Sequence, residues 1–189
     1  MRSSHLPLIP SLIQTGPHSQ TKEAAALFAG IALLAILAQI SIHLPWSPVP
    51  ITGQTFGVAL IGLTWGSKRG FAVALSYLVA GFCGLPIFAQ GTAGHLGATS
   101  GYLLGMLVSV FIIGYCSEQG FTRTLPKTMF VLTIGSLVTF TFGLLVLSHF
   151  LPSQNILMAG LLPFIPGDII KNILAASIVL GGESFRPRI

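Results

Sequence analysis

The sequence contains very few charged residues. Only 7% of its 189 residues are Asp, Glu, Lys or Arg, and only 4 residues are acidic. A soluble domain carries about 25% charged residues. Because 52% of this sequence is hydrophobic, a fold in water would lack the polar groups to cover its surface, whereas in lipid the exterior can also be apolar. The composition therefore excludes an ordinary soluble domain and predicts an integral membrane protein.

Other scarce features exclude further classes of protein. The two cysteines, Cys83 and Cys116, lie in or beside apolar segments and fit neither a disulfide framework nor a zinc pattern. The sequence contains no phosphate-binding loop of the GxxxxGK(S/T) type and no nucleophile with a recognisable base. Its basic residues occur singly or in pairs without interleaved aromatics, which argues against a nucleic acid partner. We therefore expect no enzymatic activity, no metal and no cofactor.

Six apolar segments are separated by Pro, Gly and charged residues. They cover residues 24–42, 52–65, 70–84, 101–117, 127–150 and 164–180. At 1.5 Å per residue, the second and third are too short to cross a hydrocarbon core of about 30 Å. Irregular backbone must complete those two crossings, and such backbone persists at membrane depth only where it packs in protein or lines a cavity. The loops next to these two helices are therefore candidates for a binding site.

The basic residues predict the orientation in the membrane. All but one of the 9 Lys and Arg residues fall near the chain termini or at the second and fourth connections between the segments. The first, third and fifth connections contain no Lys or Arg: residues 44–51, 85–100 and 151–163. Because cytoplasmic loops carry the excess of basic residues, the pattern places both termini in the cytoplasm and these three connections outside.

The predicted fold class is an all-α integral membrane protein with six transmembrane helices. We expect one transmembrane domain, residues 24–189, surrounded by membrane lipid in a plasma (inner) membrane of bacterial type. Residues 1–23 are expected to form a cytoplasmic tail. Their apolar run is short, is broken by two prolines and lacks a cleavage site with small residues, so it does not fit a signal peptide.

Asp168 and Lys171, in the sequence PGDIIK, form a pair of ionisable residues inside an apolar segment. Charged residues in a membrane helix are costly and are candidates for function by default. Their spacing puts both on one helical face, near the outer end of the sixth helix. Lys171 favours a carboxylate on a ligand, and ionised Asp168 suits a ligand with N–H donors. Two structural alternatives stay open: Asp168 as an N-cap, or a salt bridge between the two residues.

The first outer connection, with the sequence LPWSPVPI, contains three prolines and is expected to be stiff and extended. Trp46 in this connection is a candidate for contact with a ligand. The alternative is a rigid hairpin with Trp46 at the membrane interface. Gln54, early in the second helix, offers a ligand both a donor and an acceptor.

The second outer connection is rich in glycine, which lets backbone N–H groups approach a ligand closely. Aromatic residues here would form flat walls, and amide, hydroxyl and imidazole groups would supply polar contacts. The candidates are Phe88, Gln90, Gly91, Thr92, His95 and Tyr102. The alternative is a re-entrant segment that packs between helices for structural reasons alone.

Small residues spaced four apart occur near the start of the first helix, where Ala25 precedes Ala29 and Ala26 precedes Gly30. Such spacing forms a flat stripe that allows close helix packing. The stripe faces either a partner subunit or another helix of this chain.

At these positions the sequence resembles the BioY family, the biotin-specific S components of energy-coupling-factor (ECF) vitamin transporters. The resemblance covers most of the chain from Ala24 onward. Its strongest parts are residues 39–42, 47–55, 84–89, 101–105 and 166–171. The resemblance implies the six-helix S-component bundle and a membrane subunit that captures extracellular biotin for uptake.

The resemblance also implies roles for individual residues. Lys171 would bind the valerate carboxylate of biotin, and Asp168 and Gln54 would bind its ureido ring. The apolar bicyclic face would pack on aromatic residues, for which the candidates are Trp46, Phe88 and Tyr102. The remaining loop contacts would come from Gln90 and Gly91.

The stripe of Ala25 and Ala29 would contact a transmembrane coupling subunit, whose ABC-type ATPases supply energy. Other functions stay open at this point. They are an S component for another small vitamin, a stand-alone facilitator, and a structural subunit without a ligand. A facilitator requires a continuous polar path, whereas this sequence is polar at one end of the bundle.

Overall fold

The computed structural model describes residues 19–94 and 97–184. Its elements are α1 (Ser19–Gln39), β1 (Ser41–Leu44), β2 (Ser47–Thr52), α2 (Gln54–Trp65), α3 (Ser67–Phe82), α4 (Ser100–Glu118), α5 (Leu125–Leu147), the short helix α6 (Ile156–Gly160) and α7 (Ile165–Ser184). Short 3-10 turns cover Ala89–Gly91 and Ser153–Asn155. The six predicted helical segments correspond to α1–α5 and α7, so the mainly helical fold class is confirmed.

Long apolar runs form helices because a backbone in lipid must satisfy its polar groups within its own segment. Within residues 19–94 and 97–184, four stretches are long and apolar enough by themselves to cross a bilayer: Gln20–Gln39, Ser100–Glu118, Leu125–Leu147 and Ser153–Gly182. Helices α2 and α3 have 12 and 16 residues, which corresponds to roughly 18 and 24 Å. As expected for such short helices, non-helical backbone continues both of them at the same end of the bundle.

Helix α1 begins at Ser19, inside the segment that was expected to be a tail, and it ends at Gln39 rather than at Ile42. The early end has a long-range cause. The N–H of Gly53 donates to the carbonyl oxygens of Leu37 and Ile40 at 3.0 and 2.9 Å, which satisfies carbonyls that the last helical turn leaves free. The expectation for residues 1–18 lies outside the described residues.

After α1 the chain forms a hairpin rather than a single extended connection. Strands β1 and β2 pair antiparallel, with Ser41 opposite Thr52 and a shift in register before Leu44. The connecting turn contains Pro45 and Trp46. Strand β2 ends at Thr52 and α2 begins at Gln54. The hairpin thus lies at the N-terminal end of this short helix, on the predicted outer side of the bundle.

The two ends of the bundle differ in their chemistry. At one end, Glu118 accepts hydrogen bonds from the N–H and the hydroxyl of Ser67 at 2.7 and 2.8 Å. At the same end, Arg69 forms an ion pair with Glu23 of α1. The hairpin and the connections after α3 and α5 lie at the opposite end. The basic connections thus share one end, as the predicted orientation requires.

The half of the bundle nearer this charged end contains a packed apolar core. Its buried members are Ala59, Leu63, Ile113, Val131, Leu132, Ala175, Ala176 and Val179. They come from α2, α4, α5 and α7, so apolar side chains from four helices fill this half.

Candidate ligand-binding site

A cavity of about 540 Å³ lies at the end of the bundle that carries the hairpin. Its walls come from the hairpin, the loop after α3, and helices α2, α4, α5 and α7. This volume falls within the range of roughly 300–1,000 Å³ that is typical of small-molecule sites. The cavity is therefore large enough for a ligand of vitamin size.

The fold brings most of the predicted binding residues together around this cavity. Those that line it are Gln54, Phe88, Gln90, Thr92, Tyr102, Asp168 and Lys171. They lie on four separate elements or loops, so only the folded bundle places them side by side. His95, another predicted contact, lies outside the described residues.

Trp46 and Gly91 do not line the cavity. Trp46 is 62% exposed at the turn of the hairpin, while Ser47 and Val49 on the following strand are buried. The N–H of Gly91 donates to Oε1 of Gln39 at 3.1 Å, so a contact within the protein already uses this donor. Contact of either residue with a ligand therefore stays a prediction.

Lys171 reaches from α7 to the base of the hairpin. Its Nζ donates to the carbonyl oxygen of Thr52 at 2.6 Å and to Oγ1 of Thr55 at 3.3 Å. An ammonium group has three donors, so a further one remains for a ligand. Both acceptors are neutral, and none of the described carboxylates is bonded directly to Lys171 at the cavity wall.

Asp168 is already inside the hydrogen-bonded part of α7. Its N–H donates to the carbonyl oxygen of Phe164 at 2.8 Å, so Asp168 is not the N-cap. In the described part of the chain, the ion pair within 4.0 Å is Arg69 with Glu23, so Asp168 and Lys171 do not form a direct salt bridge. Neither structural alternative for this pair is present, and both side chains face the cavity.

Asn172 was not among the predicted site residues. It lies one helical turn beyond Asp168 and is 6% exposed. Its Nδ2 donates to Oδ2 of Asp168 and to Oγ of Ser136 on α5, both at 3.0 Å. A sequence signal for it exists, because an amide residue one turn after a carboxylate in an apolar helix needs a polar partner.

Gln54 lines the cavity but is also bound on both sides within the protein. Its Nε2 donates to Oη of Tyr77 at 2.8 Å, and its Oε1 accepts from Oγ1 of Thr52 at 3.0 Å. Tyr77 in turn donates to the carbonyl oxygen of Ile87 at 3.0 Å. Gln54 thereby joins the hairpin to the loop after α3, and it shapes the cavity through both elements.

Phe88 forms part of one apolar wall. Its ring packs edge-on against Tyr77 and Phe82, with ring centroids 5.5 and 5.3 Å away. Gly81 on α3 permits this close approach, because a Cβ at that position would overlap the Phe88 ring. The wall therefore depends on a helix position without a side chain.

Tyr102 and Phe164 form a second apolar wall. Their rings are stacked with centroids 6.0 Å apart and an interplanar angle of 24°. The Tyr102 hydroxyl donates to the carbonyl oxygen of Gly160 at 2.7 Å, which satisfies its polar end away from the cavity. Phe140 packs edge-on against Phe164 at 6.4 Å. These rings offer flat apolar surfaces for a bicyclic ligand.

Gln39, at the end of α1, holds the loop that carries Phe88. Its Nε2 donates to the carbonyl oxygen of Phe88 at 3.0 Å, and its Oε1 accepts from Gly91. The Gln90 side chain hydrogen-bonds to Nδ1 of His43 on β1. Gln90 itself adopts a left-handed conformation with φ 60°. We call residues 88–91 the cover loop, because Phe88, Ala89 and Gln90 of this segment line one side of the cavity.

Ala25 and Ala29 lie on the exposed side of α1. Gly30, by contrast, is buried where a Cβ would meet the side chains of Trp65 and Val73. The two predicted small-residue pairs therefore face different surroundings, and the pair Ala25 and Ala29 remains available to a partner.

Several known proteins are similar to this chain in sequence. Residues 11–188 match the sequence profile of the BioY family. The "Probable biotin transporter BioY" of Pyrococcus horikoshii is 36% identical over 162 residues, which cover 84% of this chain and 94% of that protein. The "Biotin transporter BioY" of Thermotoga maritima is 32% identical over 156 residues, which cover 80% of this chain and 91% of that protein.

A solved structure is also similar to the whole bundle. The crystal structure of the S-component for biotin from an ECF-type ABC transporter superposes with a TM-score of 0.80 and 27% sequence identity. The match covers 91% of this chain and 96% of that protein. The resemblance inferred from the sequence motifs is thus confirmed, and the chain belongs to the BioY family.

Proposed function

We propose that this chain is the biotin-binding S component of an ECF-type transporter. It is a multi-pass protein of the plasma membrane that captures extracellular biotin for uptake. The observation that carries this function is the cavity of about 540 Å³ with Lys171 and Asp168 in its wall, in a chain that belongs to the BioY family.

The residues around the cavity match the chemistry of biotin. Lys171 has a donor left for the valerate carboxylate, and Asp168 is an acceptor for a ureido N–H. Tyr102 and Phe88 provide apolar surface for the fused rings. Gln54 supports the site mainly through the hairpin and the loop after α3, because both ends of its amide are hydrogen-bonded there.

The one-ended cavity favours capture over passive conduction. Apolar side chains of four helices pack in the half of the bundle beyond the cavity. A facilitator acting alone would need polar groups along the whole path. The packed apolar half instead supports a subunit that holds its ligand at the outer end.

Energy for uptake would come from partner proteins. This sequence has no phosphate-binding loop of its own. We propose that the exposed stripe of Ala25 and Ala29 contacts a transmembrane coupling subunit, which ABC-type ATPases drive. The small side chains would allow the close helix approach that such membrane contacts use.

Calorimetric titration of the detergent-purified chain tests the ligand assignment. Biotin is titrated first, with thiamine and riboflavin as control ligands of the same vitamin class. We expect saturable binding of biotin and none of the controls. A folded, monodisperse sample that binds thiamine or riboflavin in place of biotin would change the cargo, and one that binds none of the three would contradict the proposed function.

A further inference from the structure

We infer that Asn172 is a positioning residue for ligand selection, which holds the Asp168 carboxylate in the orientation that receives the N–H donors of the ligand. This inference rests on the proposed function of the cavity. Asn172 would affect ligand binding through its hydrogen bond to Asp168 rather than by direct contact with the ligand.

The amide of Asn172 has a fixed orientation. Its Nδ2 carries two hydrogens, and they serve two acceptors at 3.0 Å, Oδ2 of Asp168 and Oγ of Ser136. Ser136 belongs to α5, whereas Asp168 and Asn172 belong to α7. The neighbouring helix therefore anchors the amide, and the amide in turn fixes the carboxylate.

Asp168 needs such a donor because it has no direct ion pair in the described part of the chain. A charged group away from water is destabilised unless it is hydrogen-bonded. An ionised carboxylate has about four acceptor sites, and Asn172 occupies one of them. The carboxylate is thus held in place and still has acceptor sites for a ligand in the cavity.

The same hydrogen bonds would also tie α5 to α7, which is a purely structural role. The two roles differ in one measurable respect. A positioning residue that works through Asp168 loses its effect on binding when the carboxylate is absent, whereas a helix tie keeps its effect. A double-mutant cycle separates them.

The experiment measures biotin affinity for the unchanged chain, Asn172→Leu, Asp168→Asn and the double variant, all purified in detergent. Leu has nearly the shape of Asn without its donors. We expect Asn172→Leu to weaken biotin roughly 10-fold, as for loss of a hydrogen bond to a charged group. In the Asp168→Asn background the same change should cost less than about twofold. Titrations extend to biotin concentrations that saturate the weakest variant.

Two results would overturn the inference in distinguishable ways. If Asp168→Asn weakens biotin and Asn172→Leu retains its full effect in that background, Asn172 is a helix tie and the proposed site stands. If Asp168→Asn binds biotin as tightly as the unchanged chain, the role of Asp168 in the proposed function fails together with the inference.

A second measurement does not depend on the Asp168 variant. Binding of biotin is compared with that of an analogue methylated on a ureido nitrogen, which lacks one N–H donor. Asn172→Leu should reduce the preference for biotin over this analogue, and an unchanged preference would overturn the inference.

Ser136→Ala provides the same comparison if Asn172→Leu does not yield monodisperse protein. This variant removes the anchor of the amide and also the interaction of the Ser136 hydroxyl with the Asp168 carboxylate, so we expect a decrease in the same preference. The matched control is Ser117→Ala, because the Ser117 hydroxyl bonds to the Leu63 carbonyl near the charged end of the bundle. The control should leave the preference unchanged, and an unchanged preference in Ser136→Ala as well would overturn the inference.

Discussion

Two neutral oxygens, of Thr52 and Thr55, hold the ammonium group of Lys171 at the cavity wall. Neutral acceptors replace water around a cation without adding a negative charge in direct contact with it. A carboxylate brought to this position would form a charge-assisted hydrogen bond, which is roughly twice as strong as a neutral one. Lys171 should therefore select for the anionic end of a ligand.

Replacement of Lys171 by Met tests this selection. Met retains an unbranched apolar stem and removes the charge. We expect biotin affinity to fall at least about 10-fold, whereas the affinity for biotin amide, which lacks the carboxylate, should change much less. Calorimetric titration of both ligands into both proteins gives the comparison.

An equal loss for biotin and biotin amide would contradict this assignment. The carboxylate would then lie elsewhere in the cavity. Lys171 would instead donate to the ureido carbonyl, next to the N–H that Asp168 accepts.

At this scale, the sequence could identify the residues that are unusual in lipid. Asp168 and Lys171 stand out because ionisable groups are rare in apolar helices. Asn172 was missed because a neutral amide is less conspicuous. The direction of the Trp46 side chain depends on the hairpin turn and register, which the composition of the connection does not specify.

At the scale of elements, one side chain joins the cover loop to the end of α1. The Gln39 amide bonds to the backbone of Phe88 and of Gly91. Like a backbone peptide group, this amide donates one hydrogen bond and accepts another, and both go to the loop. Opening this side of the cavity requires that both hydrogen bonds break.

Gln39→Leu should therefore accelerate the release of biotin. Two hydrogen bonds are lost, each with a net value of about 0.5–1.5 kcal/mol, so we expect the dissociation rate to rise roughly five- to 150-fold. A chase of bound radiolabelled biotin measures that rate. The matched control is Gln119→Leu, an exposed position at the end of α4, which should leave the rate unchanged. Equal rates for the unchanged chain and Gln39→Leu would show that the loop is held by other contacts.

The packing of Phe88 against α3 permits a further prediction. Gly81→Ala places a Cβ where the Phe88 ring lies, and overpacking of this kind costs about 1–3 kcal/mol. We expect the ring to shift into the cavity and biotin affinity to fall about 10-fold. Gly182→Ala serves as the control, because nothing lies within 4 Å of a Cβ at that position. If the two variants bind biotin equally well, the Phe88 wall does not shape the site.

The helices could be predicted from sequence because each is a local apolar run. The hairpin was foreseen only as a rigid alternative, and the end of α1 was placed too late. Both features depend on Gly53, whose N–H bonds to the carbonyls of Leu37 and Ile40. Secondary-structure prediction from sequence uses the periodic spacing of apolar residues within one segment. Hydrogen bonds between the Gly53 region and the end of α1 produce no such spacing.

At the scale of the whole molecule, polar chemistry is divided between two ends. The cavity with its charged pair lies at the hairpin end, while Glu23, Arg69 and Glu118 meet at the other. The basic connections all lie at the second of these ends. The sequence thus predicts an orientation in which the cavity faces the exterior, and this orientation can be measured directly.

Cysteine labelling in intact cells tests the orientation. In a background with Cys83 and Cys116 replaced by Ser, single cysteines are introduced as Ser153→Cys and Arg123→Cys, both at exposed positions. A membrane-impermeant maleimide should label position 153 in intact cells and position 123 only after permeabilisation. The reverse pattern would invert the topology and place the cavity on the cytoplasmic side.

The positions of the tryptophans have a practical consequence for optical measurements. The chain contains two, and neither Trp46 nor Trp65 lines the cavity. Trp46 lies on the hairpin, whose base is bonded to Lys171 through Thr52. A change in its fluorescence upon addition of biotin would therefore report a displacement of the hairpin, not contact with the vitamin. Combined with calorimetry, which detects occupancy, Trp46 is a built-in reporter of whether the site closes after it fills.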